Sequence, residues 1–377
     1  MKTVLIFGAG VAGPTLAYWL HQHGFSPTIV ESAPMQRRGG QAIDIRGVAL
    51  EVIERMGIDA QVRQARTCMR GMTVLDGDGA EISRTTEATF SSGRLDSGDI
   101  ELLREDLTRV LYERTCDDVE YLYHDTMVAM LEQADGVCVT FEHASPRLFD
   151  VVIGADGLHS NVRAMIFGQE REFLHSLGMQ IGIFSTDNFL ALDHWQIWVQ
   201  GGSAGYGIYP VRNNKELRVT LGFGSDPHEA ACHDVEKQKQ RAAEHLAHLH
   251  WETPRLLDAM WRARDYYTDE MAQIRMPCWS KGRVALLGDA AYSASPLSGQ
   301  GTSLALVGAY ILADELAKSR ANYAVAFTRY EERMRPFALI NQALATECQG
   351  RPASIASIDA AKNAISLDSH SAVCATG

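Results

Sequence analysis

Short apolar runs mark several strands that are expected to be buried on both faces. They lie at residues 4–7, 27–30, 148–154 and 284–287. Continuous apolar strands of this kind are typical of a parallel sheet covered by helices. Helical segments are predicted between and after them, at 48–56, 101–114, 302–317, 323–350 and 352–367. The pattern therefore predicts an α/β fold built on a parallel sheet.

A different pattern begins near residue 175. Segments 178–185, 194–200, 205–211 and 217–223 are short and aromatic-rich, and their links carry Gly, Asn and Pro. This is typical of antiparallel strands. We predict that this sheet interrupts the first domain, giving 1–174 and 273–320 as its two parts, 175–272 as the inserted sheet and 321–377 as C-terminal helices. A separate hairpin is expected around the turn 76–79.

Charge and cysteine content narrow the range of partners. The net charge is −12, and no basic stripe is visible, so nucleic acid is not an expected partner. No apolar run is long enough to span a membrane. The seven cysteines are scattered and form no CxxC pair, which favours a reducing compartment. We expect a cytoplasmic protein and a monomer.

The first chemical motif follows the first strand. Gly8, Gly10 and Gly13 form a G-x-G-x-x-G turn that leads through Ala12 into a helix. Such a turn brings backbone N–H groups and a helix N-terminus to a pyrophosphate. Glu31, at the end of the second strand, is placed to bind ribose hydroxyls. The motif predicts a dinucleotide, and by itself it leaves both NAD and FAD open.

Two later motifs, taken together with the first, favour FAD over NAD through a family resemblance. Asp156-Gly157 follows the strand at 148–154, and Gly288-Asp289 precedes the loop 295–301, Ser-Pro-Leu-Ser-Gly-Gln-Gly. In this order, the three motifs resemble those of the FAD-dependent aromatic hydroxylases, the family of para-hydroxybenzoate hydroxylase. The loop at 39–47 and the short chain are most similar to the tetracycline-inactivating monooxygenases of that family. The resemblance covers nearly the whole chain and implies a Rossmann-like FAD-binding domain with an inserted substrate sheet.

The resemblance also implies which residues contact FAD. Matched to the family's motifs, the cofactor-binding positions are Gly8, Gly10, Ala12, Gly13, Glu31, Arg38, Asp44, Arg46, Arg104, Asp156, Asp289, Pro296, Gly299 and Gly301. For some of these, a simpler interpretation stays open: Arg38 in a solvated loop and Arg104 on a surface helix. His194 and Arg218 are candidate substrate contacts, and the alternative for Arg218 is a solvent-exposed side chain.

A single dinucleotide motif limits how the reductant binds. A flavoprotein with a stable NADPH site would need a second motif, so the resemblance implies that NADPH acts as a transient reductant. The implied reaction inserts one oxygen atom from O2 into a polycyclic aromatic or enolic small molecule, with tetracycline as the leading candidate. The alternatives are a hydroxylase of a polyketide intermediate or simple phenol, and a non-catalytic flavoprotein that shields an intermediate. The flavin carries the chemistry, so no side chain is assigned as catalytic.

Two weaker patterns favour structure over chemistry. Gly201, Ser203 and Gly205 match G-x-S-x-G, but that nucleophile elbow needs a strand followed by a helix. The flanks here favour two strands, so we predict a hairpin. His245, His248 and His250 are close in sequence, and we interpret them as part of a solvated helix face, so that no metal is expected.

Overall fold

The computed structural model describes residues 2–35, 39–91, 93–225, 234–320, 322–347 and 353–368. Its strands, in chain order, are β1 (Thr3–Phe7), β2 (Ser26–Glu31), β3 (Ala42–Ile45), β4 (Met72–Leu75), β5 (Glu81–Thr85), β6 (Ala88–Thr89), β7 (Gly93–Arg94), β8 (Ile100–Leu103), β9 (Glu120–Tyr123), β10 (Met127–Glu132), β11 (Val137–Phe141), β12 (Arg147–Phe149), β13 (Val151–Gly154), β14 (Leu174–Asp187), β15 (Gln196–Gly201), β16 (Ala204–Val211), β17 (Glu216–Gly224), β18 (Tyr267–Ile274), β19 (Ser280–Lys281) and β20 (Val284–Leu286).

The helices lie between these strands and at the C-terminal end. They are α1 (Ala12–Gln22), α2 (Val48–Arg55), α3 (Asp59–Gln64), α4 (Arg104–Thr115), α5 (Asn161–Ile166), α6 (Val235–Leu246), α7 (Thr253–Arg262), α8 (Asp289–Tyr292), α9 (Gly301–Lys318), α10 (Tyr323–Glu347) and α11 (Ile355–Lys362). Short 3-10 turns occupy Glu170–Glu172 and Pro296–Ser298. Across the described ranges, none of these helices combines the length and apolar character that a membrane span requires.

The first domain is built on a six-stranded sheet in the order β19-β20-β13-β1-β2-β9. Its central strand β1 runs parallel to both β2 and β13, and Val4, Leu5 and Ile6 have no exposed surface. Burial on both faces explains why the apolar run contains no polar residue. Helices α1 and α9 pack together against this sheet. The predicted parallel sheet is confirmed.

The strand expected at 148–154 is divided in two. Asp150 accepts hydrogen bonds from the backbone N–H of Thr3 at 2.8 Å and from its hydroxyl at 3.1 Å. This polar link separates β12, which pairs with β11 in a small antiparallel sheet, from β13, which enters the six-stranded sheet. The break places Gly154 and the residues after it beside the end of β1.

The second domain is a seven-stranded sheet in the order β18-β14-β17-β16-β15-β4-β5. Helices α6 and α7 cover one face, against an apolar core that includes Leu217, Val219 and Leu221. The opposite face, here called the inner face, carries Arg218, Thr220 and Gly222, as the alternation predicts. Strands β4 and β5 also belong to this sheet, because β4 pairs with β15 in parallel and β5 pairs with β4. Their residues, 72–85, lie within the predicted first part of the FAD-binding domain.

One predicted helix begins later than expected. Residues 101–103 belong to β8, which pairs with β3 in an antiparallel ribbon. All four residues of β8 are buried, so they cannot form the exposed face of a surface helix. Helix α4 starts at Arg104, whose backbone N–H donates to the carbonyl of Gln41 at 3.2 Å. The guanidinium of Arg104 is therefore carried by the first residue of a helix, next to the ribbon.

The C-terminal helices connect the two domains. Helix α10 contains Pro336 without ending there, and its Gln342 donates to the carbonyls of Ile274 at 2.8 Å and Ser293 at 3.0 Å. Gln273 in turn donates to the carbonyl of Gln342 at 2.7 Å. These bonds join β18 of the second sheet to the segment after α8. Helix α11 is shorter than the predicted 352–367.

Candidate functional site

The turn after β1 has the close packing that its glycines predict. Gly8 has a φ of 105°, and a Cβ on it would lie 2.3 Å from the carbonyl oxygen of Ala155. A Cβ on Gly13 would lie 2.0 Å from the carbonyl oxygen of Gly8. In contrast, the nearest atom to a Cβ on Gly10 is a guanidinium nitrogen of Arg104, at 4.0 Å. The turn is therefore tight against the protein and open at Gly10, where a pyrophosphate would approach.

Glu31 closes one end of this turn. Its carboxylate accepts the backbone N–H groups of Ala9 and Ala33, each at 2.9 Å. The carboxylate is thus fixed at the carboxyl end of β2, where dinucleotide-binding sheets place their ribose-binding acid. Ala12 begins α1, directly after the turn, and its methyl group lies 3.4 Å from the Cβ position of Gly288. The first and third motifs therefore meet here.

Asp289 and Arg104 form the middle of the site. Asp289 is the first residue of α8, and burial raises its pKa, opposed by the charge of nearby Arg104. One of its carboxylate oxygens lies 3.9 Å from the Cβ position of Gly301, at the start of α9. The side chain of Arg104 also packs beside Gly40. A positive group and a buried carboxylate therefore lie between the glycine turn and α9.

Asp156 lies in the loop before α5 and binds the start of that helix. It accepts from the hydroxyl of Ser160 at 2.5 Å and from the backbone N–H of Val162 at 3.1 Å. Burial raises its pKa, and these hydrogen bonds oppose that shift. Its backbone lies against the first turn, since the Cβ position of Gly8 is 3.1 Å from its Cα. Asp156 therefore fixes the start of α5 next to the glycine turn. Its contact with a pyrophosphate stays a prediction.

The loop before α9 presents backbone and unpaired polar groups to the space between the domains. Ser295 has a φ of 71°, and Gly299 adopts the left-handed conformation after the turn that begins at Pro296. Both amide atoms of Gln300 are buried without a hydrogen-bond partner among the described residues. Gly301 then opens α9, whose N-terminal N–H groups favour a negatively charged group.

Asp44 and Arg46 lie against the same loop. They form an ion pair at 2.9 Å, and the backbone N–H of Arg46 donates to Ser303 at 3.0 Å. The guanidinium lies 3.4 Å from the Cβ position of Gly299. Within the described part of the chain, Oδ1 of Asp44 and Nε of Arg46 are buried without partners.

These residues form one continuous row, here called the cleft, because neighbouring members contact or act on each other. It runs from Glu31 past Gly10, Arg104 and Asp289 to the loop at 295–301. The open backbone at Gly10 and the unpartnered buried atoms of Gln300, Asp44 and Arg46 are features that a polar, elongated ligand would satisfy. Of the predicted cofactor positions, Arg38 lies outside the described residues.

Arg218 is buried, so the solvent-exposed interpretation is wrong. Its side chain is 2% exposed, and it contacts Glu216 at 3.0 Å, Asp265 at 3.5 Å and Glu105 at 3.6 Å. These groups border a cavity of about 880 Å³ between α4 and the second sheet. The lining of this cavity is rich in charged residues, unlike the apolar pocket that a polycyclic ligand needs. A substrate contact by Arg218 stays a prediction.

His194 lies in the loop before β15. It has a φ of 50°, and its backbone N–H donates to the amide oxygen of Asn214 at 3.1 Å. Its Nε2 is 3.8 Å from a carboxylate oxygen of Asp193, and its Nδ1 is buried without a partner among the described residues. His194 is held at the end of the second sheet, and a contact with substrate stays a prediction.

The aromatic residues of the second sheet divide between its two faces. Tyr206 belongs to the core under α6 and α7, where its hydroxyl is 2.8 Å from Thr253. Trp198 and Tyr209 are on the inner face. Trp198 donates to Gln196 at 3.0 Å, and Tyr209 accepts from the N–H of Ala42 at 2.9 Å. The inner face therefore offers an aromatic wall toward the first domain.

Several residues with a place in this site were missed by the sequence interpretation. Gln196 has no exposed surface and donates to Ser91 across the two domains, while Glu101 faces Asp44 in the β3–β8 ribbon. His159 lies 3.0 Å from both Glu170 and Asp269. These two hydrogen bonds, that to Asp269 first, raise the pKa of His159 to about 10. Gln196 lay in a predicted strand and Glu101 in a predicted helix, and neither residue type indicates by itself that the side chain is buried.

The weaker patterns have structural roles. Gly201 ends β15 and Ala204 begins β16, so Ser203 lies in a hairpin turn and the hairpin prediction is confirmed. His245 stacks on Phe223, while His248 and His250 hydrogen-bond to Gly201 and Asp78. Among the described residues, acidic, His and Cys side chains form no cluster that could hold a metal ion.

Comparison with known proteins agrees with this geometry. The family model described as "FAD binding domain" matches residues 1–339. An uncharacterised protein of Mycobacterium tuberculosis is 49% identical over 92% of this chain and 93% of its own. A flavin-dependent monooxygenase of Legionella longbeachae is 38% identical over 90% of this chain and 86% of its own.

The similarity extends to solved structures. The tetracycline destructase Tet(55) superposes with a TM-score of 0.88 at 34% identity, covering 98% of this chain and 99% of that one. Tet(51) gives a TM-score of 0.87 at 33% identity, covering 98% of this chain and all of its own. Both domains and the C-terminal helices are therefore shared along the whole chain.

Proposed function

Because this chain belongs to the FAD-binding-domain family and is a flavin-dependent monooxygenase, we propose that it inactivates tetracyclines or closely similar polycyclic compounds. The proposed reaction takes electrons from NADPH, used as a transient reductant, and inserts one oxygen atom of O2 into an electron-rich enol or phenol. The observation that carries the proposal is the match to two tetracycline destructases over 98% of the chain at 33–34% identity.

The cleft residues fit FAD in one orientation. Glu31 would hold the ribose, the open turn at Gly10 and Arg104 would hold the pyrophosphate, and Asp289 would hold the polyol chain. The loop at 295–301 would then contact the flavin ring. When bound, FAD supplies the electron transfer and oxygen chemistry. The N-terminal N–H groups of α9 would stabilise negative charge at the ring, because they and the helix dipole point toward that end of the cleft.

The inner face of the second sheet suits a flat, partly polar substrate. Trp198 keeps part of its ring exposed on this face, beside the buried Tyr209 and Gln196, and the amide of Gln196 is bonded to Trp198 and Ser91. Apolar pockets with a few fixed polar groups are typical of small-molecule sites. A substrate between this face and the loop at 295–301 would be enclosed between the two domains. The placement is supported by Ser91, which bonds to Gln196 of this face and to Arg46, the neighbour of Gly299. Enclosure excludes water from the reacting atoms.

The test is aerobic NADPH oxidation with a panel of tetracyclines, anthracyclines and simple phenols, followed by mass spectrometry of the products. The proposal predicts substrate-stimulated oxidation and the gain of one oxygen on a tetracycline. Oxygenation of a simple phenol with no turnover of any tetracycline would overturn the substrate class and leave the monooxygenase intact. A yellow protein with no oxygenated product from any compound would favour a non-catalytic flavoprotein. NADH in parallel assays shows whether the reductant is NADPH.

A further inference from the structure

Two buried carboxyl groups face each other across the ribbon of β3 and β8. Asp44 and Glu101 are direct partners in the antiparallel register, and they are 8% and 6% exposed. Side chains at directly opposed positions lie on the same face, with Cβ atoms about 4.5–5.5 Å apart. The two carboxyl groups are therefore close neighbours inside the protein.

Only part of their negative charge is balanced by described residues. Arg46 lies 2.9 Å from Asp44, and it is also the cation that acts on Glu101. The next acidic residue, Asp99, has its own partner in Lys362 at 2.9 Å. Two ionised carboxylates with one guanidinium would leave one buried negative charge, and a proton removes it at lower cost.

The titration of the two groups agrees with this charge count. Burial raises the pKa of Asp44 to about 7, with Arg46 opposing the shift and Glu101 and Asp99 adding to it. Burial also raises the pKa of Glu101, although the hydroxyl of Thr67 donates to it. Two carboxyl groups that influence each other titrate as a pair, so the proton belongs to both.

The pair adjoins the part of the cleft assigned to the flavin ring. Arg46, which bonds to Asp44, also packs against Gly299 and donates its backbone N–H to Ser303 in α9. Oδ1 of Asp44 is buried and has no partner among the described residues. A change in charge on a ligand beside Gly299 would therefore act on the pair through a region of low dielectric.

We propose that Asp44 and Glu101 share one proton and take up a second when the neighbouring flavin is reduced. This rests on the proposed function only in requiring bound FAD. Two-electron reduction of FAD with one proton leaves one negative charge on the flavin. One more proton from solvent, bound by the pair, restores neutrality beside Arg46. With a hydride donor, the hydride supplies both electrons and the proton on the flavin, and the pair takes up one further proton from solvent; at an electrode, the same change consumes two electrons and two protons.

Infrared spectroscopy of the protein without substrate tests the shared proton. The spectrum of each variant is subtracted from that of the wild type, because Asp156 and Asp289 are also buried carboxyl groups with a raised pKa. The wild type is expected to show, at neutral pH, a protonated-carboxyl band that belongs to the pair. Asp44→Asn and Glu101→Gln are each expected to abolish it, because Arg46 balances the single carboxylate that remains. Asp96→Asn is the matched control and should keep the band, because Asp96 is exposed and pairs with Arg94 instead of acting on the two buried groups. A protonated-carboxyl band of wild-type intensity in either of the first two variants would overturn the shared proton.

Electrode titration of the bound flavin tests the coupling. Above pH 7, where the reduced flavin is an anion with one proton, the midpoint potential of the wild type should fall with pH with twice the slope of Glu101→Gln, since two protons instead of one accompany two electrons. Equal slopes would refute the coupling and leave the pair with a structural role. The wild-type slope alone decides the point if a variant does not fold. The titration needs no substrate, so a failed substrate screen leaves its result unaffected.

Discussion

Gly13→Ala should separate α1 from the turn that precedes it. The added methyl group would lie 2.0 Å from the carbonyl oxygen of Gly8, whereas real Cβ atoms essentially never approach closer than 3.0 Å. The helix or the turn must therefore move by about 1 Å. The atom in the way belongs to the backbone, so no side-chain rotation relieves the contact.

The displacement sets the size of the effect. A shift of about 1 Å lengthens a good hydrogen bond beyond its useful range. Losing one bond from the start of α1 to a charged pyrophosphate costs about 1.5–3 kcal/mol. This corresponds to an FAD dissociation constant raised roughly 10- to 150-fold. The overpacked turn should also lower the free energy of unfolding by about 1–3 kcal/mol.

Flavin fluorescence titration and thermal unfolding of the FAD-free protein measure the two effects. Gly98→Ala is the matched control, because nothing lies within 4 Å of its Cβ position. It should keep the wild-type affinity and melting temperature. Wild-type affinity and stability in Gly13→Ala would refute the argument, because they would mean that the helix start is not packed against the turn.

Three further predictions concern Asp289, His159 and Ser203. Asp289→Asn should weaken FAD binding by about 1.5–3 kcal/mol without destabilising the FAD-free protein, because burial disfavours the carboxylate; unchanged flavin content would contradict this. The hydrogen bonds that raise the pKa of His159 stabilise the fold fully at a pH below its ordinary pKa of 6.5, and this stabilisation is lost as the pH rises through about 10. His159→Gln should abolish that pH dependence of the free energy of unfolding in denaturant titrations. The contribution lost is at most about 1 kcal/mol, because the imidazole is 55% exposed. Ser203→Ala should leave NADPH oxidation unchanged, because Ser203 lies in the turn between β15 and β16; a lost activity would show that this turn contributes to the reaction.

The parts of the fold that follow local patterns were predictable. The apolar run at Thr3–Phe7 indicates a strand buried on both faces, and the alternation in Glu216–Gly224 indicates a strand with one apolar face. The ribbon β3–β8 was not predictable, because Glu101 and Arg104 also suit a surface helix. Only the long-range pairing of Leu102 with Ile43 decides in favour of a strand.

The site shows the same division. The glycine turn, Glu31 and Asp289 belong to motifs whose chemistry is readable from spacing. Gln300 and Glu101 gain their importance from burial, and burial depends on which elements meet in space. For Arg218 the sequence offered two environments, and the fold brings it three carboxylates, from α4, β17 and the loop before β18, that no local pattern reveals.

The parallel pairing of β4 with β15 has a consequence for building chimeras between relatives. Met72 to Leu75 pair with Gln196 to Val199, so two separate stretches of the chain complete one sheet. Exchanging residues 175–272 alone would set a foreign β15 against the host's β4. A mismatched register there would leave an unpaired edge, which invites aggregation. Recombination designed to change substrate preference should therefore transfer residues 72–85 together with the longer segment.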